Sequence, residues 1–145
     1  MEKNYDMLKL ENQLCFPLYA AARQVVRRYR PLLDALDLTY TQYLCLMVLW
    51  EHKRCNVKEL GEKLYLDSGT LTPVLKSLEG KGYVRRLRSS ADERILNVEI
   101  TPEGETLKIS AAEIPAKIAD CVPLTSEEAG QMYRLLYKIL TALEN

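Results

Sequence analysis

Very little in this chain of 145 residues suits a metal or disulfide scaffold. It has one histidine, His52, and its four cysteines, Cys15, Cys45, Cys55 and Cys121, include no C-x-x-C pair, so a zinc site would have to gather ligands from distant segments. No structural metal and no cofactor are expected. Long apolar runs are also missing, since nothing approaches the roughly 20 residues that span a bilayer, and the start, Met1-Glu2-Lys3-Asn4-Tyr5-Asp6, is charged where a signal segment would be apolar. No membrane partner is expected, and the expected location is the cytoplasm, whose reducing poise leaves cysteines as thiols until something oxidises them. Net charge is absent as well, with 20 Lys+Arg against 20 Asp+Glu. That argues against indiscriminate coating of nucleic acid but permits charge to be segregated along the chain.

The charge is segregated. Lys76, Lys81, Arg85, Arg86, Arg88 and Arg94 stand against Glu79, Asp92 and Glu93, whereas acids outnumber bases from Leu96 onward. A composition that is 48% hydrophobic over this length builds one ordinary core. Nine Tyr against one Phe and one Trp make the aromatic content phenolic, and a buried phenol needs a hydrogen-bond partner.

From Asp6 to Arg30 apolar and aromatic residues recur at helical spacing, with Cys15, Tyr19, Ala22, Val26 and Tyr29 on one face. This predicts a long amphipathic helix that Pro31 ends or bends. After a turn from Leu32 to Asp37, Thr39 or Thr41 caps a second helix reaching Trp50, apolar on nearly every side and therefore central. Val57 to Leu64 reads as a short helix, Tyr65-Leu66-Asp67 as a tight connection, and Leu71 to Leu78 as a helix facing inward through Leu71, Val74, Leu75 and Leu78. Gly80 and Gly82 stop it, and the alternating segments Tyr83 to Arg88 and Ile95 to Ile100 form a hairpin with a charged tip. Thr101-Pro102-Glu103-Gly104-Glu105 opens a helix running toward Pro115, and Leu124-Thr125-Ser126-Glu127-Glu128 opens the last one. The apolar Met132, Leu135, Leu136, Ile139, Leu140 and Leu143 are too many for the surface of one modest domain. The expected fold is therefore mainly α, a winged helix-turn-helix with N- and C-terminal dimerisation helices and a two-stranded β wing. It is one domain over 1–145, with 39–100 as the winged helix-turn-helix and 1–35 and 102–145 as dimerisation helices.

The run LGEKLYLDSGTLTPVLKSLEGKGYVRR from Leu60 to Arg86, followed by Asp92-Glu93-Arg94 and Ile100-Thr101-Pro102-Glu103-Gly104, resembles the MarR family of bacterial transcription regulators. The segment ENQLCFPLYAAAR from Glu11, with Tyr29 and Leu38-Thr39-Tyr40, resembles the organic-hydroperoxide-resistance regulator (OhrR) branch. The resemblance runs from about Leu8 to Gly104, while the C-terminal helices match in type alone. It implies a non-enzymatic, homodimeric repressor on an inverted-repeat operator in double-stranded DNA, which leaves when a peroxide oxidises one cysteine. It also implies that Asp92 and Arg94 organise the hairpin tip, with Arg94 entering the minor groove and Arg85, Arg86 and Arg88 available to the backbone. Apart from the resemblance, a helix beginning after Asp67 suits the major groove, where Ser68, Thr70 and Thr72 offer hydroxyls and Lys76 adds charge. From composition alone the hairpin is equally a solvated charged loop. Pro73 falls inside that helix, so a strained or 3₁₀-like first turn is expected.

Cys15 is the candidate sensor, because a thiol that reacts with a hydroperoxide must be thiolate and needs donors nearby. Tyr19 lies one turn away, but Tyr29 lies fourteen positions on, about 21 Å along a straight helix. If Tyr29 and Tyr40 support Cys15, as the resemblance implies, they come from the partner subunit or a sharply folded chain. Pro17 departs from the family pattern: it either kinks the helix or makes it begin near Asn12, which would place Cys15 in the first turn, where the helix dipole favours a thiolate. The resemblance marks Cys121 as the possible resolving thiol, paired with Cys15 of the partner. Cys45 reads as packing, Cys55 has no apparent partner, and His52 reads as solvated. A competing reading is a MarR-type regulator released by a small phenolic ligand, with Cys15 incidental. A thiol peroxidase would explain a reactive cysteine but not the basic hairpin, and the alternating strand and helix pattern of thioredoxin-like enzymes is missing.

Overall fold

Thr39 sets the start of the central helix. Its hydroxyl accepts from the Gln42 N–H at 3.2 Å while its own N–H donates to Gln42 Oε1 at 3.0 Å, a reciprocal cap that satisfies two otherwise orphaned donors. The computed structural model describes residues 2–144. The chain divides into two compact units, Met1–Ile114 and Pro115–Asn145; the boundary falls inside the segment that sequence alone groups as one C-terminal dimerisation block.

In the first unit two single 3₁₀ turns, Asp6–Leu8 and Leu10–Asn12, precede α1 (Cys15–Asp34). The expected long helix from Asp6 is thus replaced by a later start. Pro17 occupies the third helical position, where a backbone N–H has no intrahelical partner to lose, and Cys15 becomes the first residue of α1. Pro31 lies inside α1 and does not end it; proline removes only the bond to the Arg27 carbonyl, and that residue is exposed to water. The capped helix is α2 (Tyr40–His52), followed by β1 (Arg54–Asn56), α3 (Val57–Leu64) and α4 (Ser68–Gly80). The first turn of α4 is α-helical and not 3₁₀, because Asp67 caps it and Pro73 leaves only the Gly69 carbonyl, on the exposed face, without its N–H.

The wing strands are β2 (Val84–Arg88) and β3 (Leu96–Ile100). They do not form the expected two-stranded hairpin alone. β1 joins them, giving an antiparallel sheet in the order β1-β3-β2, with Cys55 opposite Val98 and Arg86 opposite the same residue on the other side. β1 is too short to show an alternating pattern in sequence, and it gives Cys55 the partner that sequence could not supply. Helix α5 (Pro102–Ala111) ends before the expected limit at Pro115. Its Thr101 hydroxyl caps the Gly104 N–H at 3.1 Å and donates to the Gly82 carbonyl at 2.6 Å, and Trp50 Nε1 donates to the Gly104 carbonyl at 2.8 Å. Gly104 is required here, since a Cβ would run into the Tyr83 carbonyl oxygen and the Ile100 side chain. The Thr-Pro-Glu-Gly motif therefore locks α5 against α2 and the base of the wing.

The core lies between these elements. Leu46, Leu49, Leu60, Leu71 and Leu78 are fully buried together with Cys45 and Val98, each such leucine contributing roughly 1.5–3 kcal/mol of burial free energy. Gln42, one of the few buried polar residues, donates from Nε2 to Ser77 Oγ at 2.9 Å and accepts from Lys81 Nζ at 3.2 Å, tying α2 to α4. In the second unit, α6 (Ile114–Ala119), which begins at the boundary, is followed by Cys121 and by α7 (Ser126–Leu143). Thr125 and Glu128 cap α7 reciprocally, as Thr39 and Gln42 cap α2.

Candidate functional site

Asp67 accepts from the Thr70 N–H at 2.7 Å, and this backbone bond holds its carboxyl below the usual range. The cap presents the first turns of α4 with Ser68, Thr70, Thr72 and Lys76 all exposed. The Thr72 hydroxyl donates back to the Ser68 carbonyl at 2.7 Å, so toward a ligand it offers its oxygen as an acceptor.

At the wing tip, Asp92 grips Arg94 by three bonds: Nε to Oδ1 at 3.1 Å, Nη2 to Oδ2 at 3.0 Å, and the Arg94 backbone N–H to Oδ1 at 3.0 Å. The side-chain bonds from Arg94 hold the Asp92 carboxyl down, and Asp92 in turn raises Arg94. The Arg94 side chain is nevertheless 90% exposed, a guanidinium aimed by its neighbour and open to solvent. The three other wing arginines differ. Arg88 reaches the Glu93 carbonyl at 3.4 Å and Arg85 stands 3.8 Å from Glu99. Arg86 is half-buried, and Glu79 holds both its backbone N–H (2.8 Å) and its guanidinium (3.1 and 3.2 Å). Arg86 therefore joins the wing to the end of α4; sequence alone placed it with the backbone-contacting arginines and missed the acceptor, because Glu79 looks like an ordinary helix acid.

The thiols fall into two pairs. Cys45 is fully buried and burial pushes its thiol up to about 12; burial also raises that of Cys55. Cys15 and Cys121 are exposed. Cys121 donates to the Lys117 carbonyl at 3.5 Å, within a hydrogen bond's reach for sulfur. Cys15 opens α1, and its chain neighbours Gln13, Phe16 and Pro17 line a groove of about 800 Å³ with Lys9, Leu10 and Glu11, a lining that does not include Cys15 itself. His52 is exposed, 3.5 Å from Glu51. Among the described residues no group of three potential ligands could hold a metal ion.

The structure brings Tyr29 and Tyr40 together, ring centroids 4.8 Å apart, with Tyr43 at 5.9 and 6.4 Å. Burial raises all three phenols, which keeps them as O–H donors. Tyr43 was missed in sequence: its spacing puts it on the same helix face as Tyr40, but its meeting with Tyr29 of α1 has no local signal. Tyr19 is not part of this cluster. Its hydroxyl accepts from Arg23 Nη1 at 3.3 Å, and the guanidinium carbon of Arg23 lies 5.1 Å from the ring centroid. Cys15 and Tyr29 sit on one unbroken helix, about 21 Å apart along its axis, so the cluster does not serve Cys15 of its own chain.

A capped helix-turn-helix with exposed hydroxyls at the head of its second helix, joined through Arg86 and Glu79 to a wing tipped by a clamped arginine, defines a winged-helix DNA-binding protein. Comparison with known proteins sharpens the class. Residues 38–96 match the model of the MarR family. The chain is 48% identical over 143 residues to the organic hydroperoxide resistance transcriptional regulator of Bacillus subtilis (strain 168), covering 99% of this chain and 97% of that one. Among solved structures it is similar to reduced AbfR bound to DNA, with a TM-score of 0.81 at 33% identity over 96% of this chain and 95% of that one. It is also similar to disulfide-formed AbfR, with a TM-score of 0.69 at 34% identity over 95% and 94%; AbfR is a Staphylococcus epidermidis protein. The chain belongs to the MarR family and is a MarR-type DNA-binding transcription regulator. No helix among the described residues is long and apolar enough to cross a membrane.

Proposed function

We propose that two copies of this chain form a repressor that grips an inverted-repeat operator through α4 and the wing and releases it when an organic hydroperoxide oxidises Cys15. The observation that carries this reading is the sorting of the thiols: Cys15 is exposed at the first residue of α1, whereas Cys45 and Cys55 are sealed in the core. The first turn of a helix stabilises a developing anion through its unpaired N–H groups and its dipole. The Cys15 sulfur attacks the distal peroxide oxygen, giving a sulfenic acid and releasing an alcohol. The thiol of Cys121 from the partner then attacks the sulfenic sulfur, forming the S–S bond as the S–O bond breaks, and its proton joins the departing hydroxide to give water. The names of the B. subtilis regulator and of disulfide-formed AbfR support this chemistry.

Dimerisation is supported by the apolar side chains that the chain leaves exposed, Leu14, Phe16, Leu18, Val25 and Val26 at one end and Leu135, Tyr137, Ile139 and Leu143 at the other. A dimer also supplies the donors that Cys15 lacks in its own chain, because Tyr29 and Tyr40 of one copy then face Cys15 of the other. The test is a gel shift of wild type and Cys15→Ser on the operator, titrated with an organic hydroperoxide and then treated with dithiol. Wild type leaves the DNA and returns with dithiol; Cys15→Ser stays. Release of Cys15→Ser at the wild-type dose would defeat the sensor assignment and favour a phenolic ligand. On a non-reducing gel the oxidised wild type runs as a covalent dimer and Cys121→Ser does not. If the oxidised wild type runs as a monomer, small thiols resolve the sulfenic acid and Cys121 is structural.

A further inference from the structure

Tyr65 occupies a slot that suits glycine. It follows α3 in the left-handed region, at φ 57°, where a side chain costs free energy and glycine does not. The turn is held by backbone alone. The Tyr65 N–H and the Leu66 N–H, the latter at 2.9 Å, both donate to the Gly61 carbonyl, and Gly61 has no room for a Cβ, which would run into the Leu66 carbonyl oxygen. None of these bonds uses the phenol. Tyr65 stays 43% exposed, and among the described residues its hydroxyl makes no hydrogen bond and its ring no aromatic contact. The chain thus keeps a large aromatic residue at an unfavourable φ and turns its hydroxyl to solvent, with no partner among the described residues.

The place in the fold gives that phenol a use. In a helix-turn-helix the first helix crosses the DNA backbone and the start of the second enters the major groove, so the connection between them borders the phosphates at the groove edge. Tyr65 lies three positions before Ser68, the first residue of α4. We propose that the Tyr65 hydroxyl donates a hydrogen bond to a backbone phosphate beside each operator half-site. The proposal rests on the DNA-binding reading and adds a neutral anchor to it. A phenol releases no counterion and reads no base, so its loss weakens binding at every salt concentration without changing the salt slope.

The experiment uses the full-length protein and a duplex that the wild type selects from a randomised library. Tyr65→Phe is expected to lose roughly tenfold in affinity per half-site, as for a hydrogen bond to a charged group, with an unchanged salt slope and an unchanged urea midpoint. Tyr65→Gly is expected to lose at least as much affinity while its urea midpoint stays at or above that of wild type, because glycine relieves the left-handed backbone. Phosphate-ethylation interference should show one position per half-site that hinders wild type and no longer hinders Tyr65→Phe. Wild-type affinity in Tyr65→Phe would overturn the phosphate contact while leaving DNA binding intact, and so would a loss that tracks a lowered urea midpoint. Failure of the wild type to select any duplex would overturn the DNA-binding reading and this inference with it.

Discussion

Between Leu38 and Val98 five leucines of α2, α3 and α4 are sealed, Leu46, Leu49, Leu60, Leu71 and Leu78 at 0% exposure, whereas along α7 no described residue is buried and Leu135 and Leu143 stand 59% and 71% exposed. Most of α1 is like α7: from Cys15 to Arg28 every residue except Ala20 is exposed. The winged-helix body buries a continuous leucine core within one chain and α7 buries nothing, which separates residues that specify the fold from residues available to a second copy. The thiols follow the same division. Cys45 and Cys55 belong to the sealed body and burial raises both, while Cys15 and Cys121 lie in the exposed terminal segments.

The sharpest way to break this contrast is to place charge on α7. Leu135→Asp with Ile139→Asp should leave the body folded and yield monomers in sedimentation. Operator affinity should fall by about 10² to 10⁴, because two linked half-site contacts become independent; a dimer of wild-type affinity would show that α7 is ordinary surface. In the body the effect should appear as stability instead. Leu46→Ala should cost about 2–5 kcal/mol in urea unfolding through the cavity it leaves, while Leu135→Ala should leave the unfolding of the body unchanged. On the wing, Arg94→Ala should weaken binding about tenfold and reduce the salt slope by about one per half-site, since a groove cation no longer displaces a counterion. Arg86→Ala should instead lower stability, because it removes both guanidinium bonds to Glu79 and leaves that carboxylate only the backbone N–H of residue 86. The smallest effect concerns Asp67, whose folded carboxyl the Thr70 N–H holds below the ordinary aspartate range. A depressed carboxyl contributes stability above the unfolded pKa and loses it as pH falls through the folded one. The difference in urea midpoint between wild type and Asp67→Ala should therefore be present at neutral pH and shrink in acid as the pH falls through the depressed folded pKa.

Much of the architecture was legible from local signals. Thr39, Asp67, Thr101 and Thr125 each start a helix where their hydroxyl or carboxylate spacing places them, and the helix-turn-helix lies where the sequence sets it. The errors cluster where a signal is short or its cost depends on surroundings. β1 is three residues long and exists only because β3 lies alongside it. Pro31 is a helix breaker by rule, yet the carbonyl it orphans is on an exposed residue. Pro17 left two readings open, and the helix start at Cys15 resolves them. Of the candidate site, the exposed hydroxyls of α4 and the Asp92–Arg94 clamp follow from motif and spacing, but the attachment of Arg86 to Glu79 and of Tyr19 to Arg23 does not.

The sequence by itself determined the features whose physics acts within a few residues: the capped helix starts, the order of the helices and wing strands, the tight turn at Tyr65 to Asp67, the basic wing and the family. Only the tertiary structure decided which thiols are inert and which are open, that Tyr43 joins Tyr29 and Tyr40, and that Cys55 pairs into a third strand against Val98. Burial, aromatic contact and strand pairing depend on surfaces that meet in space after the chain has folded, and no local spacing encodes which surface a side chain will meet.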